Sequence, residues 1–284
     1  MTEEKFLKTQ EDDLEYYKIS SDDYQQIVSQ LPDKKYYEYI YHKLTNTDVT
    51  FEKWNHWPIW NYPVQDALRF KYILLDNVQY IKNSCVADFG CHIGYMSLFM
   101  SHLGAKHITG TNIRQKELDL SKELCDIAGA NNIDFRHSDL HNYQNVLEIC
   151  NNHQTILISG IMYHLTDQVN LLETVTKSSA TTLIIDTREP ISIKGNSQPL
   201  MAYTIENSSV NVNGFVESAE SNSMLVGAPN QSWIDYTMVH FGWKKVYDKQ
   251  YTMKHQGNSQ RSVSTWTRDI TYIAGWRSSI SLGS

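Results

Sequence analysis

The sequence predicts an α/β fold, a seven-stranded, mostly parallel sheet with helices on both faces. Three observations carry this. Between residues 85 and 187, short apolar runs alternate with helix-length amphipathic stretches, the pattern of repeated strand–helix units. The opening run "VADFGCHIGYMSLFM" closes on Asp88 and passes through Gly90 and Gly94 into a helical stretch, so a buried strand ends in a flexible turn. After Asp186 the alternation stops and β-prone pieces take over.

Taken in order, "CVADFG" (85–90) reads as a strand and "YMSLFMSHLG" as a helix closed by Gly104. "HITGTN" (107–112) is the next strand. It leads into "RQKELDLSKELCDIAG", where Leu118, Leu120, Leu124 and Ile127 roughly keep helical spacing and Gly129 marks the stop. "IDFRHSD" (133–139), a helix near 141–150, "TILISGIM" (155–162), a helix near 168–178 and "TLIIDT" (182–187) follow. Thr166 and Asp167 stand where a helix cap belongs. Residues 188–229 are too long for a structureless loop, and "MAYTIEN" and "GFVESA" predict a hairpin insertion there. "PNQSWIDYTMVHFGW" opens at Pro229 on a capped helix ending near Gly242, and "KKVYDKQY" and "RSVSTWTRDITYI" read as two closing strands.

Residues 1–80 read as a mostly helical, aromatic-rich cap on a domain spanning 81–284. No repeat, heptad pattern or low-complexity linker is present. With 41% hydrophobic and 20% charged residues, the 284-residue chain can bury a sizeable core. Lys and Arg number 25 against 32 Asp and Glu, a formal charge of −7, which disfavours nucleic acid as a partner. The start, "MTEEKFLKTQEDD", has no apolar run, and no stretch nears the ~20 apolar residues of a membrane span, so the expectation is a soluble cytoplasmic protein. Cys85, Cys91, Cys125 and Cys150 form no CxxC pair and read as reduced, buried thiols, with no metal implied.

The glycine turn carries the chemistry. A strand that opens a helix through such a turn leaves free backbone N–H groups at its mouth. In the dinucleotide fingerprint these hold a pyrophosphate. Here Asp88 stands at the strand end and the glycines are spaced more widely, which suits a cationic sulfonium cofactor bearing an ammonium group. His92, within the turn, either touches the ligand or fills the turn.

On Asp88-x-Gly90-x-x-x-Gly94 the chain resembles the class I S-adenosylmethionine-dependent methyltransferases, over residues 85–187 and onward to the end. The resemblance implies a Rossmann-like fold, S-adenosylmethionine as cofactor and these roles. Asn112, with Ile113, stands where an acid usually takes the ribose hydroxyls. Asn112 is neutral, with one acceptor oxygen where a carboxylate has two. Asp139 faces the adenine amino group with Leu140 beside the ring, and Gly160 counts with them among the cofactor-binding residues. "SGIMYHLTDQVNLLETV" resembles the G-V-L-Y-H stretch of tRNA wobble-uridine carboxymethyltransferases, and "PNQSWIDYTMVHFGW" their P-S-x-x-x-L-x-x-W-L helix. Those enzymes use carboxy-S-adenosylmethionine, which makes that analogue the alternative cofactor.

The expected function is methyl transfer to a small-molecule acceptor. His164 is the candidate base, because imidazole titrates near neutrality, and Tyr163 lies beside it. Trp54, Trp57 and Trp60 in "WNHWPIW" recur every third residue, which fits core packing as well as an aromatic cage. Trp57, Trp60 and Tyr62 stand as acceptor-side candidates, with His56 another lid contact. Arg261 fits a substrate carboxylate or a surface ion pair. Rival readings are an RNA-modifying carboxymethyltransferase and a cofactor-binding protein without turnover, the latter supported by Asn112. Acceptor, modified atom and oligomeric state are left open by the sequence.

Overall fold

In the computed structural model, residues 11–32, 63–193, 195–207, 223–254 and 259–269 are described. β1 (Cys85–Phe89), β2 (His107–Asn112), β3 (Ile133–His137), β4 (Thr155–Ser159) and β5 (Thr182–Glu189) pair in parallel. β9 (Ser259–Thr267) runs antiparallel beside β5, and β8 (Lys244–Met253) antiparallel beside β9. The resulting order is β3-β2-β1-β4-β5-β9-β8. β6 (Met201–Asn207) and β7 (Ser223–Pro229) form a separate two-stranded ribbon.

Period-two alternation explains the layers. Val86, Ile108, Leu157, Ile184 and Val263 face one side, where they meet Phe70 and Ile73 of α2 (Pro63–Ile73), Ile81 of α3 (Val78–Ile81) and Phe99 and Met100 of α4 (Tyr95–His102). Their neighbours Ala87, Phe89, Ile156, Ile158, Leu183 and Ile185 face the other side. There they pack under α6 (Tyr143–Asn151), α7 (Gln168–Lys177) and α8 (Gln231–His240). Burial of each large side chain contributes roughly 1.5–3 kcal/mol, so both faces are strongly specified.

Helix ends follow their local chemistry. Asn142, Asp167 and Asn230 cap α6, α7 and α8 by accepting from backbone N–H groups of the first turn. α5 (Gln115–Ala128) stops at Gly129, whose φ of +68° continues the chain in a left-handed turn. Thr166 is not the α7 cap; its hydroxyl meets His141.

Several boundaries differ from the sequence expectation: β3 ends at His137, β4 ends at Ser159 where Gly160 turns the chain, and β9 begins at Ser259 and ends at Thr267. β5 runs on through Arg188 and Glu189 because β9 supplies partners, Arg261 and Gln260. The insertion does contain a hairpin, and its first strand is the expected "MAYTIEN". Its second is Ser223–Pro229, while "GFVESA" lies outside the described residues.

The N-terminal segment is tied to the sheet. α2 lays Phe70 against Phe99 with ring centroids 4.1 Å apart. Fully buried Asn77 donates to the Tyr72 and Ile73 carbonyls and accepts from Thr265 Oγ1 of β9. α1 (Ser21–Val28) adds Tyr24 and Ile27 to a smaller cluster with Val64 and Leu68. No described helix is long and apolar enough to cross a membrane.

Away from the C-terminal strand ends, His153 is buried with Nδ1 2.6 Å from the Ile149 carbonyl and Nε2 3.0 Å from Thr109 Oγ1. This pairing suits the neutral ring, and burial lowers its pKa from 6.5. The unfolded chain therefore takes up the proton first, and stability falls as pH drops below 6.5 towards the folded value. Melting profiles from pH 7.5 to 5 should show His153→Gln less acid-sensitive than the wild type; equal slopes would contradict this.

Candidate active site

In an open parallel sheet the strand order reverses at one point, here between β1 and β4, and the crevice beyond their C-terminal ends is the natural ligand site. The sequence candidates that fall among the described residues lie at these strand ends. After β1 the chain turns through Gly90 and Gly94 at φ +71° and +79°, with His92 also left-handed at +53°. A Cβ on Gly94 would lie 2.9 Å from the Ser121 Cβ and 3.0 Å from Phe135 Cζ, so glycine is required by space as well as by φ. Asp88 is buried behind the turn and accepts from Ser97 Oγ at 2.7 Å. Burial pushes its carboxyl up to about 6, with the Ser97 bonds holding it from rising further.

At the end of β2, Asn112 is committed to its own surroundings. Its Oδ1 accepts from Ile113 N at 2.8 Å, and its Nδ2 donates to Glu117 Oε2 at 2.6 Å and to the His92 carbonyl at 3.3 Å. Glu117, from the first turn of α5, folds back to the strand end and accepts from Arg114 Nη1 at 2.7 Å. Burial opposes its charge, but His92, Arg114 and the Asn112 bond hold the carboxyl below its ordinary value. The strand-end acid missing from the sequence is thus present from the neighbouring helix. Thr111 Oγ1 and Arg114 Nε, both buried, find no hydrogen-bond partner among the described residues, which leaves bonding capacity at this corner.

Beyond β3, Asp139 is partly exposed and Leu140 buried in the core under α6. Asp139 Oδ1 accepts from the His141 backbone N–H at 2.9 Å and lies 3.1 Å from its ring Nδ1. His141 Nε2 lies 3.0 Å from Thr166 Oγ1, and Tyr143 donates to Asp167 at 3.0 Å. The loops after β3 and β4 are therefore clasped together.

β4 ends at Ser159, and Gly160, at φ +72°, turns into the short 3₁₀ segment Met162–His164. This brings Tyr163 and His164 to the crevice with ring centroids 4.4 Å apart. Beside them lies fully buried Asp186 of β5. It accepts from Arg261 Nε and Nη2 at 3.0 and 2.6 Å, Arg69 Nη2 at 2.9 Å, Ser159 Oγ at 2.9 Å and Tyr251 OH at 3.1 Å. Burial alone would raise its pKa, but Arg261 and Arg69 overrule it and hold the carboxyl well below the usual range.

Arg261 is thus not a surface residue. It is 2% exposed and its guanidinium reaches to 3.5 Å from the Tyr163 hydroxyl. A Cβ on Gly160 would lie 3.1 Å from Arg69 Nη2, 3.6 Å from Tyr163 OH and 3.7 Å from Arg261 Nη2, so these donors crowd one point. Arg69 and Glu117 were not among the sequence candidates. Arg69 acts far in sequence from Asp186, Glu117 reaches Asn112 only through the turn of its helix, and a buried polar position in a helix was the one available signal. Trp54, His56, Trp57, Trp60 and Tyr62 lie outside the described residues. Cys91, Cys125 and Cys150 are buried free thiols, as expected, and Cys85 is partly exposed. Among the described residues no group of three or more His, Cys, Asp or Glu could hold a metal ion.

No protein-family model matches the chain. Protein arginine N-methyltransferase 1 of Schizosaccharomyces pombe is 29% identical over 75 residues, 25% of this chain and 22% of that protein. The chain thus spans about a fifth of the length of such curated relatives. The N-terminal domain of EvdMO1, crystallised with S-adenosylhomocysteine (SAH) bound, superposes with a TM-score of 0.51 at 14% identity, over 72% of this chain and 81% of that one. Magnesium protoporphyrin IX methyltransferase of Synechocystis PCC 6803, with S-adenosylmethionine bound, gives 0.51 at 12% identity, over 78% and 86%. These likenesses show the fold, the Rossmann-like fold of class I methyltransferases.

Removing the Asp186 charge leaves two buried guanidiniums facing each other. Asp186→Asn should cost about 3–5 kcal/mol in urea unfolding, whereas Glu173→Gln, at the exposed Lys177 pair, should cost less than about 0.5 kcal/mol. Similar small losses in both would contradict the structural weight given to Asp186.

Proposed function

We propose that the protein is an S-adenosylmethionine-dependent methyltransferase acting on a small-molecule acceptor. The observation that carries this is the left-handed Gly90–Gly94 turn set behind a buried carboxylate, Asp88, at the switch point of the sheet. The structural neighbours crystallised with S-adenosylmethionine or SAH share that fold, and the short sequence match to arginine methyltransferases agrees with the class.

The residues present fit the cofactor. The turn offers backbone N–H groups, Asp88 faces the cationic end, and Asp139 and Leu140 serve the adenine. Glu117 takes the ribose hydroxyls, with Asn112 and Ile113 as its support. When bound, S-adenosylmethionine supplies a methyl group on a sulfonium to an in-line nucleophile. The protein's part is to hold the acceptor in attacking geometry and exclude water. His164 accepts the acceptor's proton, and Tyr163 orients the acceptor. Trp57, Trp60 and Tyr62 belong to the acceptor side in this reading.

A second reading has one observation in its favour. Among the described residues, two guanidiniums face the single ionised carboxylate of Asp186, and burial pushes Asp66, beside Arg69, up to about 7. The paired guanidiniums of Arg69 and Arg261 beside Tyr163 suit an anionic group, as in carboxy-S-adenosylmethionine or an acidic acceptor.

Calorimetry with S-adenosylmethionine, SAH and the carboxylated analogue separates these readings. The first reading expects binding of the first two, lost in Asp88→Ala and weakened about tenfold or more in Glu117→Gln by loss of a charged hydrogen bond. Preference for the carboxylated analogue establishes the second, and binding of none removes both.

Asp88 also sets a pH dependence. It must lose its proton before it can face a cation, so SAH affinity should fall as pH drops below about 6, the Asp88 value. It should level off above neutrality, and a flat profile from pH 5 to 7 would contradict the assignment.

A further inference from the structure

We propose that Gln168 is the positioning residue of this site, fixing the Met162–His164 turn to the β6–β7 hairpin. Tyr163 and His164 then take their places from the insertion as well as from β4. The last ladder bond of β4 is Gly160 N to the Asp186 carbonyl, at 2.8 Å. Beyond it the turn has one good internal bond, His164 N to Ile161 O at 2.9 Å, and one long one, Leu165 N to Met162 O at 3.4 Å. From outside, Arg261 reaches the Tyr163 hydroxyl at 3.5 Å, and the 2%-exposed Gln168 amide holds the backbone, donating to the carbonyls of Met162 at 2.9 Å, Leu165 at 2.7 Å and Gly227 of β7.

Two amide hydrogens serve three carbonyls from two elements, so the Gln168 nitrogen sits where the turn and the hairpin meet. Gly227 N donates back to the Leu165 carbonyl at 2.9 Å, closing the junction from the other side. A Cβ on Gly227 would lie 3.0 Å from Met201 Sδ, 3.2 Å from Tyr203 Cε1 and 3.3 Å from Gln168 Nε2. A methyl group there would press on the Gln168 amide and on the side-chain ends of Met201 and Tyr203, each of which would have to give by a few tenths of an ångström. Gln168 is not needed as a cap, because Asp167 already accepts from Asn170 N. Its side chain instead turns back to the segment before its own helix. The insertion and the candidate catalytic pair are thus one mechanical unit, and a change of hairpin repositions His164.

The catalytic meaning of this junction rests on the methyl-transfer reading, and two separate readouts keep them apart. Protein labelled with ¹³C at histidine Cε1 gives one signal per ring, with His164 assigned by loss of its peak in His164→Asn. Gln168→Met keeps length and burial but donates nothing. It should shift and broaden the His164 signal while His153, remote from the crevice, keeps its own. Gly227→Ala should do the same from the hairpin side. SAH affinity in both should stay within about threefold of wild type, since neither side chain touches the proposed cofactor contacts. A Gln168 that only stabilises the fold would lower the melting temperature and leave the His164 signal in place, and that result overturns the proposal. Should Gln168→Met not fold, Gly227→Ala decides by the same signal. Loss of SAH binding in the wild type would sink the methyl-transfer reading and leave the His164 result standing.

Discussion

A fully buried carboxylate is affordable only when its charge is met, and Asp186 is the constraint around which this molecule is arranged. Its oxygens are claimed from three separate regions: Arg69 from a helix ahead of the sheet, Ser159 from β4, and Arg261 and Tyr251 from the closing strands. Any one partner alone would leave desolvated charge behind. Together they fix the N-terminal helix, the parallel half of the sheet and its antiparallel edge at one point. That point lies beside Gly160, where β4 gives way to Tyr163 and His164. The same ion cluster therefore supports the fold and stands directly beside Tyr163 of the candidate pair.

Around this cluster the site is built by clasps between loops. His141 and Tyr143 join the loop after β3 to Thr166 and Asp167. Gln168 continues the chain of contacts to the hairpin. Three consecutive residues, Thr166 to Gln168, thus connect the adenine end of the proposed cofactor site to the insertion. Loops joined in this way carry chemistry while the sheet below stays rigid.

The central fold was legible because its signals are local. Alternating apolar runs, the Gly129 stop and the Asn230 cap are each read within a few residues, and the sheet follows from their order. The first hairpin strand was legible for the same reason, being β-prone along its length. Its partner was missed because Ser223–Pro229 contains Gly227, a residue of low strand propensity. Glu117 was missed because helical folding, not sequence adjacency, returns its carboxylate to the end of β2. Arg69 and Asp186 are 117 positions apart, and no local pattern announces such a pair. Arg261 reads in the sequence as a substrate-facing or surface cation, yet it is buried, and that burial depends on the same distant carboxylate. The aromatic run at 54–60 lies outside the described residues, and its assignment stays with the sequence.

The most direct test of the account is a crystal structure of the protein with S-adenosylhomocysteine bound. The account predicts the ligand across the C-terminal ends of β1 and β4, its ribose hydroxyls on Glu117, its amino end towards Asp88 and its adenine at Asp139. Ribose hydroxyls bound by Asn112 with Glu117 turned away would contradict the reading of the β2 corner. A crevice without ligand at saturating concentration would contradict the proposed function itself.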